Sequence, residues 1–155
     1  SQNKITETQL ETVCREFNIQ LFQTKKLFTP KSVAYLKWRY QNNPLQDYFV
    51  FSSEDWYIAL YIKKHRFFNE LRVVESICSQ PEKYRKQMQK EILRFAFQKK
   101  CVLITTSNKD LFGFKLYGKF GPKLTIRTLT KDSFFTHPVY SIQNWCYSLG
   151  DLELF

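Results

Sequence analysis

Residues 71–106 read LRVVESICSQPEKYRKQMQKEILRFAFQKKCVLITT: a strand, a helix and a strand in succession. Leu71–Cys78 is a short apolar run rich in β-branched residues, which predicts a strand. Over about 82–99, Tyr84, Met88, Ile92 and Phe95/Ala96 recur every three or four residues, the spacing of one buried helix face. The opposite face carries Lys83, Lys86, Lys90, Arg94 and Gln98. Cys101–Thr106 reads as a buried strand. A helix crossing between two such strands sets them parallel in one sheet.

Upstream, Tyr48–Phe51 and Trp56–Ile62 flank the polar turn Ser52-Ser53-Glu54-Asp55, which predicts a hairpin. Both runs are apolar on both faces, as strands covered from each side are. Thr6 and Gln9 form a capping-box pattern ahead of Leu10, Val13, Cys14 and Phe17, so a helix is expected over about 6–17. Thr29-Pro30 marks a second helix start, with Val33, Leu36 and Tyr40 as its apolar stripe. Asn42-Asn43-Pro44 ends it. Downstream, a short helix is expected over about 109–117, then strands at Leu124–Leu129 and about 142–149. The order α-α-β-β-β-α-β-α-β-β predicts an α+β fold: a mixed, mostly antiparallel sheet with helices on both faces. Residues 1–155 read as a single domain, with a helical segment at 1–29 and the core at 30–155.

The chain has 155 residues, of which 43% are hydrophobic and 17% aromatic, a globular composition. No apolar run approaches the roughly 20 residues that span a bilayer, and no membrane partner is expected. A net charge of +10 reads either as solubility or, functionally, as an anionic partner, whether nucleic acid, membrane surface or phosphorylated cofactor. Lys63-Lys64-His65-Arg66-Phe67-Phe68 interleaves bases with aromatics as nucleic-acid surfaces do, and equally reads as a solvated hairpin end. No RRM, KH or helix-turn-helix pattern accompanies it, so nucleic-acid binding ranks last among the functional readings. Cys14, Cys78, Cys101 and Cys146 form no CxxC pair, which suggests neither metal nor redox chemistry and a reducing, cytoplasmic protein. His65 and His137 have no partner at useful spacing.

Glu75 is the candidate base. Strict alternation along the strand puts it on one face with Leu71, Val73 and Ile77. A carboxylate on an apolar face has a raised pKa, which suits it to take a proton from an amine. The competing reading is an ion pair with Arg72 or another base.

Three segments then look familiar. Leu116-Tyr117-Gly118-Lys119-Phe120-Gly121, with Asn108 upstream, resembles the late L-Y-x-K-x-G motif of the GNAT-type N-acetyltransferases. Trp38-Arg39-Tyr40 with Asn43-Pro44, and Trp145 with Leu149-Gly150-Asp151, resemble segments of bacterial GNAT-like proteins built of two halves. The chain resembles the second half over about 30–151.

The resemblance implies that acetyl-CoA lies where the fourth and fifth strands splay, its pantetheine arm along Ser76 and Cys78. Its pyrophosphate would sit at the next helix start, among Gln80, Lys83, Arg85 and Lys86, with Asn108 nearby. Tyr117 would protonate the departing thiolate, and Glu75 would accept a proton from a small-molecule amine. Amino sugars are one acceptor class by analogy, and an N-terminal GNAT-like half or a second copy is an implied partner. The helix start departs from the family pattern: it has no glycine, Pro81 lacks a donor and Glu82 is acidic. An ordinary helix start, capped by Ser79 with the bases solvated, is the competing reading of that loop. The competing reading of the whole chain is a non-catalytic GNAT-like module that supports a partner or binds an anion.

Overall fold

In a computed structural model, the described residues are 5–112 and 141–152. Thr6 opens helix α1, Glu7–Gln23: its Oγ1 accepts from the Gln9 amide at 3.3 Å, and Gln9 Oε1 accepts from the Thr6 amide at 2.9 Å. The helix outruns the expected end at 17 by a turn and a half, and the chain then turns through Lys25 at φ 56°. A two-residue strand β1, Leu27–Phe28, follows.

The second helix, α2, covers Val33–Leu36 and starts at Ser32, whose Oγ accepts from the Tyr35 amide at 3.1 Å. It does not start at Thr29-Pro30. The cause is Asn18 on α1, whose side chain donates to the Lys31 carbonyl at 2.7 Å and accepts from the Lys31 amide at 2.9 Å. Those bonds occupy backbone groups that an earlier helix start would use. The helix then widens into a π turn, Lys37–Gln41, closed by the Asn42 amide on the Lys37 carbonyl at 2.8 Å. π turns of this kind cluster at functional sites.

Strands β2 (Phe49–Ser52), β3 (Trp56–Lys64), β4 (Asn69–Cys78) and β5 (Cys101–Thr106) form one sheet in that order. The first three are antiparallel, and β5 lies parallel to β4 after the crossover helix α3, Pro81–Gln98. The fold is therefore α+β with a mixed, mostly antiparallel sheet. Helix α3 covers one face, packing Met88, Ile92 and Phe95 on Trp56, Ile58, Leu60, Leu71 and Val73. α1 and α2 cover the other, packing Leu10, Val13, Leu36 and Tyr40 on Tyr57, Ala59, Val74 and Ile77. Each fully buried side chain among them contributes about 1.5–3 kcal/mol.

Other expectations are corrected or left open. β5 is not a buried strand: it is the last strand of the sheet among the described residues, and Val102 is 75% exposed. Residues 142–149 are not one strand. They form a 3-10 turn, Ile142–Asn144, a two-residue strand β6, Trp145–Cys146, and the start of a short helix α4, Leu149–Leu152. β6 pairs parallel with β1 rather than joining the main sheet, which delivers Gly150 and Asp151 to the α1–α2 face. Lys109–Leu111 is a turn closed by the Leu111 amide on the Asn108 carbonyl. The rest of the helix expected over 109–117, the strand at 124–129, Tyr117 and its whole motif lie outside the described residues. No described helix is long and apolar enough to cross a membrane.

Candidate functional site

A bulge in β4 sets the site. Ala59 of β3 pairs with Glu75 and the next residue, Leu60, with Val73, so Val74 is one residue too many. An inserted residue shifts the alternation of everything beyond it. Leu71 and Val73 face α3, whereas Glu75 and Ile77 face α1 and α2. The expectation that Glu75 shares a face with Leu71 and Val73 is thus overturned by the bulge, and only Ile77 stays beside it.

Glu75 is 2% exposed, and its carboxylate meets residues from two distant stretches. Lys31 Nζ lies 2.9 Å from Glu75 Oε2, and the Tyr40 hydroxyl donates to the same oxygen at 3.2 Å. Its ion-pair partner is thus Lys31 rather than Arg72, and its other oxygen, Oε1, accepts from the Ser76 amide at 3.2 Å. Lys31, 5% exposed, also reaches Asp151 Oδ1 at 2.9 Å, and Tyr35 donates to that oxygen at 3.1 Å. The Ser148 amide holds Asp151 Oδ2 at 2.9 Å. The helix α4 is clamped from the other side by Arg39, whose Nη2 donates to the Gly150 carbonyl at 2.7 Å. A Cβ on Gly150 would stand 1.9 Å from the Tyr40 hydroxyl, so glycine is what lets α4 approach. The Trp38-Arg39-Tyr40 and Leu149-Gly150-Asp151 segments, 111 residues apart, thus close together over Glu75.

Two carboxylates share one ammonium here. Burial would lower the Lys31 pKa, but Glu75 and Asp151 outweigh it and hold it above its ordinary value. Asp151 pays a burial penalty, yet Lys31 and Ser148 keep it below its ordinary value. Burial pushes the Glu75 carboxyl up against the pull of Lys31. Lys31 thus stays charged and Asp151 ionised, whereas burial favours the neutral form of Glu75. Burial, followed by the Glu75 charge, pushes the Tyr40 phenol far up, so it stays a donor.

The β4–β5 pairing ends at Val73 and Thr106. Val74–Cys78 continues without a partner strand on that flank among the described residues. Where pairing would have continued, the strands are joined by side chains: Asn108 Nδ2 donates to Ser76 Oγ at 3.0 Å. Cys78 turns into the α3 core at 5% exposure. At the start of α3, the cap is Gln80 rather than Ser79. The Ser79 hydroxyl and amide are both spent on the Asp55 carbonyl, at 3.1 and 3.0 Å, and its own carbonyl accepts from Gln20. Gln80 makes no side-chain cap bond, and Lys83, Arg85 and Lys86 stand exposed on the first turns. Lys83 lies over the Tyr84 ring, 4.7 Å from its centroid.

An open groove of about 980 Å³ runs between α1 and the β1–α2 segment, lined by Cys14, Ile19, Phe22 and Phe28 with Lys31 among its walls. It lies on the Glu75 face of the sheet, where α1 and α2 pack. Compared with known proteins, the chain matches no family model, and neither a curated protein nor a solved structure is similar to it.

Of the residues singled out from the sequence, Glu75, Ser76 and Cys78 lie on β4, Gln80 precedes α3, Lys83, Arg85 and Lys86 lie on its first turns, and Asn108 bonds Ser76. Sequence reasoning missed Lys31, which reads as one more surface lysine after Thr29-Pro30. It also took Tyr40 for an apolar stripe. Asp151 was visible within Leu149-Gly150-Asp151, but its pairing was not.

Proposed function

We propose that the chain is an acyl-CoA-dependent N-acyltransferase that resembles the GNAT group, with Glu75 as the base. The observation that carries this reading is the C-terminal half of β4, which has no partner strand on its β5 flank among the described residues. Five residues run past the end of the parallel strand β5, with the raised-pKa carboxyl of Glu75 among them. Ligands of sheets with parallel strands bind beyond the carboxyl ends of those strands. An unpaired strand flank offers backbone donors and acceptors to an extended amide chain such as a pantetheine arm.

On this reading the acyl-CoA thioester lies along the strand and its phosphates lie at the α3 start. Ser76 and Cys78 would offer the strand backbone, and Asn108 bonds the Ser76 side chain just past the end of β5. Gln80, Lys83, Arg85 and Lys86 offer polar and cationic side chains at the α3 start. Pro81 removes one amide from the helix-end anion site, so side-chain charge must replace backbone donors there. Bound acyl-CoA supplies an activated acyl group as a thioester.

The acceptor amine enters by the groove of α1 and β1–α2, reaching Glu75 past Lys31. Its nitrogen forms the amide bond as the C–S bond breaks. The proton lost by the nitrogen goes to Glu75, and the proton gained by the sulfur is assigned to Tyr117, on the motif resemblance alone. Lys31, Tyr40 and Asp151 are positioning residues: they fix the carboxylate and set its proton affinity.

A second reading, a non-catalytic module, is favoured by one observation. Both oxygens of Glu75 are buried among protein groups, as in a structural ion pair. Acetyl transfer to a panel of primary amines separates the two. The proposal expects turnover by the full chain, with a loss of about 10²–10⁴-fold in kcat for Glu75→Gln. Wild-type protein that transfers to no amine and releases no free thiol would sink it.

A further inference from the structure

Among the described residues, a basic and aromatic cluster lies at the opposite end of the sheet. The β3–β4 hairpin turns at residues 65–68, closed by the His65 amide on the Phe68 carbonyl at 2.9 Å. Asn69 pairs with Cys101, and Asn69 Nδ2 donates to the Lys99 carbonyl at 3.4 Å. The hairpin tip and the C-terminus of α3 therefore share one end of the molecule. Residues 63–68 and 97–100 hold five Lys and Arg and no Asp or Glu. Phe67 is 84% and Phe97 87% exposed. Leu93, one turn earlier on the same outer face of α3, is also exposed. Glu70 does not offset this charge at the surface: it is buried, bound to Arg72, His65 and Thr105.

We propose that this end docks peripherally on an anionic bilayer surface, with Phe67 and Phe97 entering the acyl boundary and Lys63, Lys64, Arg66, Lys99 and Lys100 at the phosphate level. The occupant follows from the chemistry. Phe carries no polar tip, so its favoured destination on leaving water is apolar. Each cation near an anionic leaflet adds to the attraction, as polybasic segments do. A single-stranded nucleic acid needs ring faces lined along a groove. Here Arg66 already lies over the Phe67 ring at 5.0 Å, and His65 stacks on Phe68 at 4.5 Å. Rings so exposed project rather than line a cleft. The sequence alone pointed away from a membrane partner because it carries no spanning run, and a docking tip needs none. Docking by this end leaves the C-terminal end of β4, with Glu75 and the α3 start, facing away from the surface.

Co-sedimentation of the full chain with phosphatidylcholine vesicles, with and without phosphatidylserine, tests this. Binding is expected only with phosphatidylserine, and it should weaken with salt. Lys63→Glu/Lys64→Glu should lower it on the order of tenfold or more. Phe67→Ser/Phe97→Ser should lower it with the thermal unfolding midpoint unchanged. Lys25→Glu/Lys26→Glu removes the same charge near the other end and should leave most binding in place. The proposal is overturned by no binding to the anionic vesicles, by equal losses at the two ends, or by binding that ignores the Phe pair. Preference for a single-stranded oligonucleotide over the vesicles at matched salt likewise overturns it and assigns the tip to nucleic acid.

Discussion

Lys31 Nζ lies 2.9 Å from Glu75 Oε2, and both side chains are almost fully buried. That contact ties the α1–α2 connection to the middle of the sheet, and through Asp151 it ties in the C-terminal helix. Replacing Lys31 by Met would leave two buried carboxylates without their cation. Removing one partner of a buried ion pair costs about 3–5 kcal/mol. Urea unfolding of Lys31→Met should show a loss of that order, and a loss below about 1 kcal/mol, the scale of an exposed pair, would contradict the burial of the cluster.

The two carboxylates should respond to pH with opposite sign. Asp151 is held below its ordinary 3.8, so its stabilisation is in place above that pH and is lost as pH falls through the folded value. Glu75 is pushed above its ordinary 4.5, so the stability linked to its proton is in place below 4.5 and is lost as pH rises through the folded value. From pH 4.5 upward, Glu75→Gln should gain stability relative to wild type. Asp151→Asn should instead fall behind wild type as pH climbs out of the acid range. Unfolding curves at a series of pH values read both slopes, and slopes of the same sign would refute the assignment.

Gly150 is needed for approach. The Tyr40 hydroxyl, 1.9 Å from a built Cβ, cannot swing aside easily, because it bonds Glu75 and its ring stacks edge-on with Tyr35 and Tyr48. Gly150→Ala should cost about 1–3 kcal/mol. In a Tyr40→Phe background the same substitution should cost less, since the clashing atom is gone. Equal costs in the two backgrounds, measured by thermal unfolding, would rule out the contact.

Much of the architecture could be read from residues 49–106, because period and punctuation agree there. The stripe of Tyr84, Met88, Ile92 and Phe95 became the buried face of α3, and Ser52–Asp55 became a hairpin turn. The bulge at Val74 left no trace in the sequence: an extra Val between Val73 and Glu75 looks like any other strand residue. It nevertheless moved Glu75 to the other face. The burial of Lys31 was equally silent, since its partners lie 44 and 120 residues away. The start of α2 was misplaced because Thr29-Pro30 is a stronger local signal than Ser32, and Asn18, a long-range partner, decided the matter. Trp145–Cys146 read as part of a longer strand because apolar runs announce burial better than they announce pairing.

Asn108 should matter for ligand affinity without mattering for the core. Its side chain donates to Ser76 Oγ just past the end of β5, and a hydrogen bond of this kind contributes about 0.5–1.5 kcal/mol. Asn108→Ala should weaken acetyl-CoA binding roughly 3–10-fold with little change in unfolding midpoint. An unchanged affinity would remove Asn108 from the site.

Calorimetric titration of the full chain with acetyl-CoA, with ATP and dephospho-CoA as controls, tests the central claim most directly. The account predicts saturable binding of acetyl-CoA that is stronger than that of either control and is weakened by Arg85→Glu at the α3 start. No detectable heat of binding with acetyl-CoA or CoA at millimolar concentration would contradict it, and would leave Glu75 and Lys31 as a structural pair.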